Sequence, residues 1–199
     1  MICVNLYGGP GIGKSTLAAK VFAKLKDHDI KTELVGEFAK ELLYDRAYNV
    51  MSDQHYLFAQ QAHRLWRLDK YGVEVAVCDS PLLLNLAYDC DPNNGYFISY
   101  VIDTYKRYQN LDYVLKRDES FWTADKRSGK IQDAVQMDHK IDAILYDVWH
   151  DSPAKIAPDA LDIVEYICCQ VEDLVQENKI YGAASVKLPP YKDEPWKVA

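Results

Sequence analysis

One short pattern constrains this chain more than anything else in it. "GGPGIGKST", residues 8–16, contains Gly8, four residues, then Gly13, Lys14 and Ser15, the spacing G-x-x-x-x-G-K-[ST]. The apolar run "ICVNLY" precedes it, and "KSTLAAKVFAKLK" follows with Leu17, Val21 and Leu25 four apart, the repeat of one helix face. A strand that passes through glycines into a helix turns successive N–H groups inward and aims the positive helix end at the same spot. Such a loop holds a polyphosphate. Gly8, Gly9, Gly11, Ile12 and Gly13 form the cradle, and Pro10 stiffens it. Lys14 reaches the β- and γ-phosphates, Ser15 ligates Mg²⁺, and the Thr16 hydroxyl meets the α-phosphate. ATP and Mg²⁺ are the expected ligands.

Further strands are predicted at "KTELV" (31–35), "VEVAVC" (73–78), "DYVLK" (112–116) and, weakly, "AKIA" (154–157). Helices are predicted over 37–46, 52–70 (capped by Ser52 or Asp53), 81–89, 96–108, 134–148 and 160–176. This alternation predicts a three-layer α/β/α fold with a mainly parallel sheet and ligands at the carboxyl ends of its strands. One domain over 1–181 is expected, with a polar lid at about 117–131 and an irregular tail, 182–199.

Composition narrows the class. The net charge of −7 argues against gripping long nucleic acid by its phosphates. None of the 5 cysteines forms a C-x-x-C pair, which points to free thiols and a reducing cytoplasm. No apolar run reaches the ~18 residues of a membrane span, so no membrane partner is expected.

Two classes of phosphate-loop protein fit poorly. A guanine-nucleotide switch carries N-K-x-D and D-x-x-G, whereas "NKIY" at 178 and "DSPL" at 79 each fail at the last position. A motor ATPase pairs Asp with Glu after its third strand, whereas Asp79 is followed by Ser80.

What the chain does contain is "GGPGIGKST", "VGEFAKELL", "DQHYLFAQQ", "VCDSPLLLNLAY" and the basic "RDESFWTADKRSGK", in that order over residues 1–148. In this it resembles the phosphate-loop kinases of nucleosides and nucleotides, most closely the nicotinamide riboside kinase-like group, whose members are also classed as AAA-domain ATPases. "DSPLLLNLAY" has the D-x₇-A-Y spacing of thymidylate kinase-like enzymes, with Ser80 where those commonly have Arg. The resemblance implies transfer of the γ-phosphate of ATP to a small nucleoside or nucleotide acceptor. A kinase acting on a DNA 5′ end or hydroxymethylated base, or a regulatory ATPase, shares the same donor site. A homodimer is left open.

The expected catalytic set is Lys14, Asp79, Glu37 and Arg127. Asp79, at the end of the third strand, is expected to hold a water on Mg²⁺ or orient the acceptor; the alternative is a helix cap. Ser80 is the better cap, with Pro81 at the first helical position. By resemblance Glu37 takes a hydrogen bond from a sugar hydroxyl or acts as its base; otherwise it is a first-turn glutamate. Gln60, Arg64 and Tyr88 are candidates for the acceptor side, and Arg117 at the lid's start for the substrate. Lys126 and Arg127 would bring positive charge over the nucleotide as the lid closes.

Overall fold

β1 (Ile2–Tyr7) is buried along its whole length, as a strand covered on both faces must be. It leads through the phosphate loop into α1 (Lys14–Asp27), then β2 (Thr32–Val35), α2 (Phe38–Tyr44), α3 (Tyr48–Met51) and α4 (Gln54–Lys70). β3 (Val75–Cys78), α5 (Leu84–Tyr88), α6 (Gly95–Tyr105), β4 (Gln109–Leu115), α7 (Ile131–Trp149), β5 (Ala154–Ile156) and α8 (Ile163–Tyr181) follow. The computed structural model describes residues 1–88, 94–117, 131–149, 154–157 and 162–181. The predicted lid, with Lys126 and Arg127, and the tail from 182 lie outside the described residues.

The five strands are all parallel, in the order β2-β3-β1-β4-β5. This is the phosphate-loop NTPase arrangement expected from the sequence. β1 pairs with β3 from Ile2↔Val75 to Asn5↔Cys78, so the phosphate loop and the residue after Cys78 emerge side by side. On one face α1 and α8 pack Leu17, Val21, Leu25, Ile167 and Val171 against Val4, Leu6 and Val77. On the other, α4 to α7 pack Phe58, Leu65, Val101 and Leu145 against Cys3, Ala76 and Cys78. Because β1 feeds a helix on the first face and β3 one on the second, a crevice opens at their carboxyl ends.

Several elements depart from expectation. The helix after β3 starts at Leu84, not at Pro81: Leu84 N–H donates to the Pro81 carbonyl in a turn that buries Leu82 and Leu83. Pro81 is therefore not a first helical residue. The predicted helix 37–46 stops at Tyr44 because Arg46 takes a left-handed φ of 57°. The short helix α3, which the sequence did not announce, begins just past it. β4 begins at Gln109, three residues before the predicted start, since Asn110 and Asp112 bond Asn5 of β1 (2.9 Å each). Polar side chains satisfied beneath the sheet hid a strand that an apolar pattern would have revealed. Asp53 caps α4 as predicted, accepting from Tyr56 N–H. Among the described residues no helix is long and apolar enough to cross a membrane.

Candidate active site

The phosphate loop spans the turn from β1 to α1. Gly13 caps α1 at φ 98°, a left-handed conformation that L side chains rarely adopt. Gly9 is confined by a neighbour instead: a Cβ there would lie 2.7 Å from the Ala134 carbonyl oxygen of α7. The Lys14 ammonium folds back over the loop and donates to the carbonyls of Gly8 (2.6 Å) and Gly9 (2.9 Å). Burial lowers its pKa, which the carboxylates of Glu37, Asp79 and Asp138 oppose and Lys40 reinforces.

The register of β1 and β3 brings Ser15 and Asp79 together. The Ser15 hydroxyl donates to Asp79 Oδ2 at 2.7 Å, and Asp79 is only 4% exposed. Asp79 is thus engaged with the phosphate loop and not with capping a helix. Its second oxygen, Oδ1, is buried without a hydrogen-bond partner. A hydroxyl beside a buried carboxylate with a spare acceptor is a donor set suited to Mg²⁺ and its waters.

Between these two groups sits Lys40, a residue the sequence reading did not single out. Its ammonium donates to Ser15 Oγ (2.7 Å) and Asp79 Oδ2 (2.8 Å), and lies 3.5 Å from Glu37 Oε2. Burial opposes its charge, but the Asp79 hydrogen bond and the Asp79 and Glu37 carboxylates hold its pKa above the ordinary value. The available signal was the Glu37–Lys40 spacing, which puts both side chains on one face of the helix leaving β2.

A cavity of about 600 Å³ extends from this centre. Pro10 to Thr16 form one wall; Glu37, Lys40, Leu43 and Tyr44 from the start and body of α2 form a second. Met51, Gln54, Leu57, Leu84, Asn85 and Tyr88 close it. Burial pushes the Tyr88 phenol up to about 12, and the Glu37 and Asp138 carboxylates add to the effect. Tyr88 is therefore protonated at neutral pH and can donate a hydrogen bond into the cavity.

Not every predicted residue reaches it. Gln60 does not line the cavity, and its neighbour Gln61 is the buried one. Gln61 donates to the carbonyls of Gly36 (3.2 Å) and Ser80 (3.0 Å), tying together the backbone beside Glu37 and beside Asp79. Arg64 turns to Glu41 (2.7 Å), the Gly36 carbonyl and the Phe38 ring, so it braces α2 instead of facing the cavity. Arg117 lies against the phosphate loop and does not line the cavity. Its guanidinium donates to both oxygens of Asp138 (2.6 and 3.2 Å) and to the Pro10 carbonyl (3.0 Å). Asp138, also unforeseen, accepts the Gly9 N–H at 2.6 Å, which pins α7 to the loop. Nothing in the local sequence of α7 signals that contact.

No curated protein matches the chain. A family model described as an AAA domain matches residues 3–156, which carry the described strands from Cys3 onward and the whole cavity wall; the chain belongs to the AAA domain family of phosphate-loop nucleotide-binding proteins.

Proposed function

We propose that the protein is an ATP- and Mg²⁺-dependent kinase that phosphorylates a small acceptor, a nucleoside, nucleotide or related metabolite. One observation carries the reading. The cavity runs past the phosphate loop into a chamber walled by α2, α3, α5 and the start of α4, leaving space for a second small molecule beside the donor phosphates. Water alone would not need such a chamber, and its mixture of Leu43, Met51, Leu57 and Leu84 with Gln54, Asn85 and Tyr88 suits an amphipathic ligand.

The groups divide the work. Lys14 and the loop N–H groups hold the donor phosphates, and Ser15 and Asp79 hold Mg²⁺. Bound there, Mg²⁺ neutralises charge on the phosphate oxygens. Glu37, at the rim between loop and chamber, accepts the proton of the acceptor hydroxyl as its oxygen bonds to the γ-phosphorus and the bond to ADP breaks. Tyr88 donates a hydrogen bond that fixes the acceptor.

The test uses γ-labelled ATP and Mg²⁺ with nucleosides, nucleoside monophosphates, or DNA with and without hydroxymethylated bases. Label in a small product supports the proposal, and label held on DNA moves the assignment to a polymer kinase. Free phosphate released at one rate whatever acceptor is offered would overturn both. Lys14→Ala is expected to abolish transfer. Asp79→Asn is expected to keep ATP binding and lose transfer by roughly two to three orders of magnitude. An Asp79→Asn protein with wild-type turnover would refute the site assignment.

A further inference from the structure

We propose that Lys40 is an internal placeholder for the metal: its ammonium holds the cation seat between Ser15 and Asp79 until metal and nucleotide arrive together and displace it. The seat is defined by distances of 2.7 Å to Ser15 Oγ and 2.8 Å to Asp79 Oδ2, with Glu37 Oε2 at 3.5 Å. Ser15 and Asp79 are the pair whose chemistry fits Mg²⁺, so a side-chain cation and the metal compete for the same oxygens. Mg²⁺ demands oxygens at about 2.0–2.1 Å. An ammonium bonded to Ser15 Oγ, the hydroxyl oxygen that would ligate the metal, would then face a divalent charge at close range, and one of the two must leave.

The reason for a placeholder lies in the burial of Asp79. The residue is 4% exposed, and an uncompensated charge there is strongly unfavourable. Lys14 cannot fill the role, because its ammonium is engaged with the carbonyls of Gly8 and Gly9. Lys40, on the first turn of α2, has a flexible stem that can withdraw along the cavity wall it lines. Once displaced it needs an anion. Glu37 already holds part of its charge, and the nucleotide's phosphates supply the rest. Metal alone brings no such anion, so metal alone binds weakly. Metal and nucleotide therefore bind with positive coupling, each raising the other's affinity by one factor.

This inference rests on nucleotide and metal meeting at the phosphate loop and is independent of any acceptor. The test is Mn²⁺ binding by electron paramagnetic resonance to the full chain, with Mn²⁺ alone and with a non-transferable ATP analogue. Lys40→Met is expected to bind Mn²⁺ alone about tenfold more tightly than the wild type, and to lose a similar factor of metal–nucleotide coupling. Lys40→Arg, which keeps the charge, is expected to stay near the wild type, and Lys40→Gln to follow Lys40→Met should the latter fail to fold. Adding Asp79→Asn to Lys40→Met should remove the gained affinity. Wild-type Mn²⁺ affinity in Lys40→Met, unchanged coupling, or gained affinity that survives Asp79→Asn each overturns the proposal. Analogue binding in chelator is read separately: its absence defeats the nucleotide-site reading, while the Mn²⁺-alone comparison still judges Lys40.

Discussion

Asp112 is a half-buried carboxylate on β4, bonded by Asn5 Nδ2 (2.9 Å) and by the Tyr105 hydroxyl, and it touches no part of the candidate site. Burial raises its pKa above the ordinary 3.8, and the hydrogen bonds from Tyr105 and Asn5 only partly offset this. A carboxyl whose folded-state pKa exceeds the unfolded value favours the fold in its protonated form. That stability is complete below the unfolded pKa and is lost as pH rises through the folded one. Asp112→Asn removes the titration while keeping an acceptor for Asn5. Its stability relative to the wild type is therefore expected to increase as pH rises from about 4 through the folded-state pKa, and then to level off. Urea unfolding of both proteins across that window measures it, and a difference independent of pH would contradict the assignment. The residue scale also shows what a linear reading catches. Lys14, Ser15 and Asp79 were legible because motif and strand end fix their places. Lys40 was not, since its role depends on where α2 lies against β3. Arg64 and Gln60 do not line the cavity for a related reason: the buried position on α4 is Gln61, one residue along, and it ties the backbone of Gly36 to that of Ser80.

At the scale of elements the sequence predicts strands and long helices well where burial is simple. The Leu17, Val21 and Leu25 stripe of α1 and the Asp53 cap of α4 appear as expected. Boundaries shift where a local conformation or a polar contact overrides the pattern, as at Arg46, at Leu82–Leu83 and at Asn110. The contact between the phosphate loop and α7 is of this second kind. Gly9 has an ordinary backbone conformation, so its requirement comes from space: a Cβ would meet the Ala134 carbonyl at 2.7 Å and Asp138 Oδ1 at 2.8 Å. Backbone cannot swing aside as a flexible side chain can, so loop and helix must separate. Gly9→Ala is expected to cost about 1–3 kcal/mol of stability and to weaken nucleotide binding. Gly36→Ala is the matched control, because nothing lies within 4 Å of its added Cβ and its φ is unstrained. It is expected to be neutral or to stabilise by up to about 1 kcal/mol. Equal effects in the two variants, by urea unfolding, would show that the Gly9–α7 contact carries no energy.

For the molecule as a whole, the phosphate loop is where sheet, α1 and α7 meet, so ligand binding there should be felt as global stability. A ligand that binds only the folded state adds RT ln(1 + [L]/Kd), about 2.7 kcal/mol at a hundredfold excess over Kd. For a domain of 150–250 residues this corresponds to a rise in melting temperature of roughly 5–10 °C. The gain should require both halves of the centre. Nucleotide with Mg²⁺ is expected to give the full shift, nucleotide in chelator less, and Mg²⁺ alone almost none, because Lys40 already supplies the positive charge beside Asp79. Lys14→Ala should abolish the shift in all three conditions, and its unliganded melting temperature gives the baseline that separates lost binding from lost folding. A Lys14→Ala protein stabilised as much as the wild type would place the nucleotide away from the loop. A full shift from Mg²⁺ alone would mean that Lys40 yields its seat without help. The pattern of the three conditions, more than the size of any one, tests whether loop, metal ligands and α2 act as one unit.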